Sequence, residues 1–233
     1  GINQLIDRFP SNNTHYGRKD VRKLFAKGEI KVEGEVVTDG SVHITEFSHV
    51  EFMGEALQSR RARYIMLHKP KGYLSATKDD QHNTAMDLIH EDFKEELHIG
   101  GRLDLNTSGL LLITDDGKWS RHVTAPKQKI PKVYIVETAD PISAETAAVF
   151  EQGVYFKYED LTTSPAQLEL LSEKKCRLTI YEGRYHQVKR MFGSVGNRVV
   201  ELHRESVGNI VLDPALEPGQ YRHLTDDEVK QYL

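Results

Sequence analysis

The chain has 233 residues, with 31 Lys+Arg against 35 Asp+Glu, a formal net charge of −4 and 38% apolar residues. That composition excludes a disordered chain, and no apolar run approaches the roughly 18 residues of a membrane span, so a cytoplasmic protein without membrane contact is expected. A single cysteine, Cys176, excludes an intramolecular disulfide and a Cys-based zinc site, and Gly1-Ile2-Asn3-Gln4 does not open a signal peptide.

The charge is unevenly spread. Gly17–Lys31 holds six cations (Arg18, Lys19, Arg22, Lys23, Lys27, Lys31) against Asp20 and Glu29. Lys174–Arg204 holds eight (Lys174, Lys175, Arg177, Arg184, Lys189, Arg190, Arg198, Arg204) against Glu182 and Glu201. Two basic patches on an acidic body suit local binding of a polyanion; solvated helix faces are the alternative.

Along the chain, Tyr16–Ala26 reads as an amphipathic helix with Val21, Leu24 and Phe25 on one face and Gly28 as its stop. Glu29–Val37 alternates around Glu33-Gly34, a hairpin signal. The polar stretch Glu55–Arg63 has no hydrophobic pattern and is expected to hold a linker, set at residues 59–63 between units 1–58 and 64–233. Tyr64–Leu67 reads as a strand stopped by Lys69-Pro70-Lys71-Gly72, and Leu110–Thr114 as a buried strand ended by Asp115-Asp116-Gly117. Further strands are expected at Val133–Thr138, Leu168–Leu171, Arg177–Tyr181, Val199–His203 and Ile210–Leu212. Helices are expected at Ser143–Gln152, with Ser143 as N-cap, at His186–Val195, and after the capping box Thr225-Asp226-Asp227-Glu228. The irregular alternation favours an α+β fold over a doubly wound one.

Two segments crowd polar residues and glycines against apolar elements. Gly100–Gly109 runs into the buried strand and places Asp104 between Leu103 and Leu105, where partial desolvation is expected. An Asx-turn is the structural alternative there. Glu182–Met191 is a strand-to-helix transition in which Gly183 permits the turn and cations favour an anion at the helix start; the alternative is a basic surface helix. GxSxG, HExxH and GxGxxG patterns are missing, so chemistry without a cofactor or metal is expected.

GRLDLNTSGLLLITDDG (Gly101–Gly117) resembles the catalytic motif of bacterial pseudouridine synthases of the RsuA family. YIMLHKPKGYLSAT (Tyr64–Thr77), EGRYHQVKRMF (Glu182–Phe192) and LHRESVG (Leu202–Gly208) are similar to that family's other motifs, in order. GRKDVRKLFAKGEIKVEGEVV resembles the helix and hairpin of an S4-like RNA-binding module, although Ile2-Asn3-Gln4-Leu5 departs from its Arg-Leu-Asp opening.

The resemblance implies an S4-like domain at 1–58 and a catalytic domain at 64–233, built on a largely antiparallel mixed β-sheet flanked by helices. It implies that Asp104 is the nucleophile, that Tyr134 stacks on the target base, that Lys189 pairs with the aspartate and that Leu202 lines the base pocket. RNA contacts are expected from Arg18, Lys19, Arg22, Lys23, Arg102, Arg184, His186, Gln187, Arg190 and Arg204. The substrate expected is 16S ribosomal RNA or a small-subunit assembly intermediate, and the protein a monomer. Alternatives are a non-catalytic ribosome-assembly factor, a synthase acting on 23S RNA, or a nucleoside hydrolase with Asp115 or Asp116 as second carboxylate.

Overall fold

A computed structural model describes residues 4–5, 18–38, 40, 42–44, 47–58 and 61–233. The chain divides into two compact units, Gly1–Arg63 and Tyr64–Leu233.

In the N-terminal unit, helix α1 (Arg18–Ala26) places Val21 and Phe25 on a small core with Ile30, Ile44, Val50 and Phe52. Short strands β1 (Gln4–Leu5) and β4 (His43–Ile44) pair with each other. A four-stranded sheet is ordered β3 (Glu35–Val36), β2 (Ile30–Val32), β5 (Val50–Phe52), β6 (Glu55–Gln58). The β2–β3 turn has positive φ at both Glu33 (52°) and Gly34 (81°), the twist that matches a right-handed hairpin. Strand β6 corrects the expectation of a linker from residue 55: backbone pairing with β5 needs no apolar pattern, so a polar edge strand escaped the reading.

The C-terminal unit is an α+β fold on a nine-stranded sheet. Its order is β13 (Gln167–Ser172), β14 (Lys175–Ile180), β10 (Lys132–Thr138), β15 (Val199–Val207), β9 (Ser108–Thr114), β7 (Tyr64–Lys69) and β17 (Tyr221–His223). Strand β8 (His98–Ile99) adds to β9 and β16 (Ile210–Val211) to β15, while β11 (Tyr155–Phe156) and β12 (Leu161–Thr162) form a separate pair. Within this sheet β9 and β15 run parallel and the other pairs antiparallel.

Both faces of the β7–β9 region are buried, which explains the uninterrupted apolar run of β9. Ile65, Leu67, Leu111 and Ile113 pack with Ala85, Met86 and Leu103. Met66, Leu110 and Leu112 point the other way, toward Trp119 and Val123 of α2 (Gly117–Thr124) and Val229 of α5 (Asp226–Lys230). At the β10–β14 end, Val136, Leu178 and Leu202 pack with Phe150 of α3 (Thr146–Gln152) and with Val188, Met191 and Phe192 of α4 (Gln187–Ser194).

Helix α2 has no counterpart among the sequence expectations. Asp116, read as a strand terminator, caps it by accepting Trp119 N–H at 3.1 Å; eight residues are too few for a clear helical period. Helix α3 starts later than expected: its cap is Glu145, and Ser143 instead meets the Thr146 hydroxyl at 2.8 Å. The Thr225–Glu228 capping box forms as expected.

Candidate active site

Asp104 lies on the loop that enters β9, and three buried side chains hold that loop. Ser75 Oγ donates to Leu103 O (2.8 Å) and accepts from Leu103 N (3.0 Å). Lys69, fully buried at the end of β7, donates to Pro70 O (2.9 Å), Tyr73 O (2.7 Å) and Leu105 O (3.3 Å). Arg204 of β15, only 3% exposed, donates from Nε to Leu110 O and from Nη2 to Gly101 O, each at 3.0 Å. Gly109 stands opposite Arg204 in the parallel β9–β15 pair with φ 115°, and a Cβ there would run into the Arg204 backbone. Only glycine fits that approach.

The turn itself closes through the backbone, with Thr107 N–H donating to Asp104 O at 3.0 Å. Among the described residues the Asp104 carboxylate receives no backbone amide, so it does not form the Asx-turn weighed as the alternative. Its side chain is 42% exposed, more open than the flanking leucines suggested. A fixed loop thus presents an accessible carboxylate.

The facing segment is held differently. Buried Gln187 accepts Arg184 N–H at 3.2 Å and donates to Glu182 Oε2 at 2.9 Å. Glu182 Oε1 takes the amide and hydroxyl of Ser164, each at 2.9 Å. Arg190 forks onto Glu159 (2.7 and 3.0 Å), donates to Tyr185 O (3.1 Å) and lies 3.7 Å over the Phe156 ring. Between these anchors His186 adopts left-handed backbone (φ 48°) as the residue capping α4. This brings its Nε2 to 3.6 Å from Asp104 Oδ2. That is an ion-pair distance for a protonated imidazole and too long for a hydrogen bond.

Tyr134 of β10 is half-buried and packs against two of the cores at once, the one containing Leu103 and the one containing Val188. It therefore lies where the Asp104 side of the sheet meets the α4 side. Leu202 stands opposite Val136 in the neighbouring strand and belongs to the second of these cores. Lys189 is half-buried and forms no ion pair among the described residues. The Asp104 carboxylate thus meets the His186 imidazole, while Lys189, which the resemblance pairs with it, lies on the neighbouring turn of α4.

Several expected RNA contacts have other employment. Arg204 and Gln187 are buried braces. Arg190 is committed to Glu159, and Arg184 lies 3.6 Å from Glu182 while remaining 40% exposed. Arg177 is tied to Glu205 and Glu169. Within the second basic patch Arg177 and Arg190 are thus paired with acids distant in sequence, and Arg204 with buried carbonyls. Arg102 is exposed, as are Arg22 and Lys23; the side chains of Arg18 and Lys19 lie outside the described residues.

Lys69 was missed as part of the site. Burial pushes its pKa down to about 8, opposed by the favourable charge of Asp104. The signal was present: a lysine at the end of an apolar strand, directly before a proline, is poorly placed to reach solvent. By contrast, burial pushes the Cys176 thiol up to about 12 and keeps it unreactive. Among the described residues no three His, Cys, Asp or Glu side chains come together as a metal site.

A family model for RNA pseudouridylate synthase matches residues 63–194. A ribosomal small subunit pseudouridine synthase A of Pseudomonas aeruginosa is 51% identical over 225 residues, covering 96% of this chain and 98% of that one. The protein of the same name from Escherichia coli is 42% identical, with 96% and 97% covered. A crystal structure of a pseudouridylate synthase superposes with a TM-score of 0.72 at 40% identity, covering 98% of this chain and 99% of that one. An exposed carboxylate on a braced loop, a tyrosine at the junction of two cores and these likenesses lead to one assignment: the chain belongs to the RNA pseudouridylate synthase family.

Proposed function

We propose that this protein converts one uridine of 16S ribosomal RNA to pseudouridine, with Asp104 as nucleophile and without a cofactor. The observation that carries the reading is the Asp104 carboxylate, open to a ligand while its backbone is locked by Ser75, Lys69 and Arg204. A positioned carboxylate is effective because its orientation is settled before the substrate arrives. The names of the relatives support the small-subunit target.

In this reading the uridine leaves its stack and enters beside Asp104. The Tyr134 ring meets the base and Leu202 forms an apolar wall of the pocket. The bond from uracil N1 to C1′ breaks, the base turns, and C1′ joins C5, whose proton departs. A pocket that retains the free base through this turn prevents its loss to water. Lys189, on the first turn of α4, is the cation that pairs with the aspartate in this reading. Exposed Arg102 and Arg184 contact phosphates around the target. The unit at 1–58 is an S4-like module whose Arg18, Lys19, Arg22 and Lys23 add salt-dependent affinity, and 59–63 is the connection to the catalytic unit at 64–233. The protein acts in the cytoplasm as a monomer.

The test is release of tritium from 16S transcripts labelled at uridine C5, with and without small-subunit ribosomal proteins, followed by mapping of the modified position. Wild-type chain is expected to release tritium at one position and Asp104→Asn to release none while still binding the RNA. Free uracil among the products would turn the reading toward glycoside hydrolysis. Tight binding without tritium release would turn it toward an assembly factor.

A further inference from the structure

Tyr185 is 76% exposed, yet its ring is not loose. It stacks on the His186 imidazole with centroids 3.9 Å apart and planes 18° from parallel. The same imidazole reaches to 3.6 Å from the Asp104 carboxylate. Asp104, His186 and Tyr185 therefore form a continuous series, reactive group to outermost ring.

The backbone beneath this stack is tied on both sides. Arg190, fixed by its fork on Glu159 and by the face of Phe156, donates to the Tyr185 carbonyl. On the other side Gln187 secures Arg184 N–H and is itself held by Glu182. A left-handed conformation at His186, unfavourable for a residue with a Cβ, completes the arrangement. The result is an aromatic ring with one face covered by His186 and the other open to solvent, adjacent to the reactive carboxylate.

We propose that the open face of Tyr185 is a platform on which an unpaired RNA base next to the target uridine stacks. This rests on the function proposed above and extends it to a second nucleotide. A flat ring pre-stacked on an imidazole offers a base a π-face at little ordering cost. Every base presents such a face, so the platform contributes affinity and register without base identity. It also replaces the stacking that a neighbouring base loses when the uridine is extruded. Tyr134 does not serve this role: it is half-buried between two cores and faces the target itself. Arg184, the preceding residue, is exposed enough to meet the phosphate of the stacked nucleotide.

The experiment compares Tyr185→Phe, Tyr185→Leu and wild-type chain in tritium release from the C5-labelled 16S transcript. Phenylalanine keeps the ring and is expected to match wild type. Leucine keeps an apolar side chain without a π-face and is expected to raise KM about 10-fold to 100-fold with kcat nearly unchanged. Equal KM for Phe and Leu overturns the platform, and so does a fall in kcat at constant KM. A direct readout uses Tyr185→Trp: the chain's own single tryptophan, Trp119, is 1% exposed and gives a constant background. Emission from the new indole is expected to be quenched when the transcript binds, and unquenched emission on saturation overturns the proposal. This readout needs no turnover, so failure of the synthase reading and failure of the platform are separable.

Discussion

The two segments that meet at the site look alike in sequence and are held by different means. Gly100–Gly109 is fastened from within: buried Ser75, Lys69 and Arg204 spend their donors on backbone carbonyls of the loop or of the strand it enters. Glu182–Gln187 is fastened by its own side chains, buried Gln187 on Glu182, and from outside by Arg190 held on Glu159. In the function proposed above, the first loop presents the nucleophile, whose position decides whether chemistry occurs. The second is proposed to offer a ring and a cation to RNA, contacts that tolerate small displacements. The contrast also shows that cations near an RNA site are not all RNA ligands. Two of the eight cations in that stretch, Arg204 and Arg190, are committed to buried carbonyls and to Glu159.

The comparison is broken most severely at Asp104. Asp104→Asn is expected to abolish tritium release while leaving RNA affinity and thermal unfolding close to wild type, measured by filter binding and calorimetry. Unfolding of this variant would show that the carboxylate braces the loop.

Removing an interior brace comes next. Arg204→Met deletes the donors to Leu110 O and Gly101 O and leaves two carbonyls in the interior. Each unsatisfied group costs about 1–3 kcal/mol, so denaturant titration is expected to show a loss of about 2–6 kcal/mol. RNA affinity of the folded fraction is expected to stay unchanged. A selective loss of RNA binding without loss of stability would restore Arg204 as an RNA contact.

Lys69 provides a pH test. Its folded pKa of about 8 lies below its ordinary 10.5. Between those values the unfolded chain binds more protons than the folded one, so this group's contribution to stability rises with pH across the window. Activity is expected to move the opposite way, falling through about pH 8 as the ammonium that ties Leu105 and accompanies Asp104 loses its charge. Paired profiles of thermal stability and tritium release check this, and parallel profiles would contradict it.

The smallest effect is expected at the surface brace. Glu159→Gln removes the charge that fixes Arg190 and so loosens Tyr185. A few-fold rise in KM for the transcript with unchanged kcat is expected. A fall in kcat would mean that the second segment is as exacting as the first.

Local pattern made much of this protein legible. Apolar periodicity marked most strands of the large sheet, Glu33-Gly34 marked the hairpin, and the Thr225 capping box marked the last helix, because each depends on residues close in the chain. The resemblance of four motifs in register singled out Asp104 as the expected nucleophile. Helix α2 and strand β6 were not legible: one is too short for a period, and the other is paired by backbone without an alternating apolar pattern.

The roles of the charged side chains were decided only in three dimensions. Arg204 finds its acceptors 94 and 103 positions away. Ser75 reaches across 28 positions and Lys69 across 36 to the same loop. Sequence established which groups were available, since charge and chemistry travel with the residue. Whether an arginine faces a phosphate, an acid or a buried carbonyl depends on what the sheet brings opposite it, and no local pattern encodes that. The ring of His186 arrives beside Asp104 for the same reason: a nine-stranded sheet and one left-handed residue bring together groups that are distant in sequence.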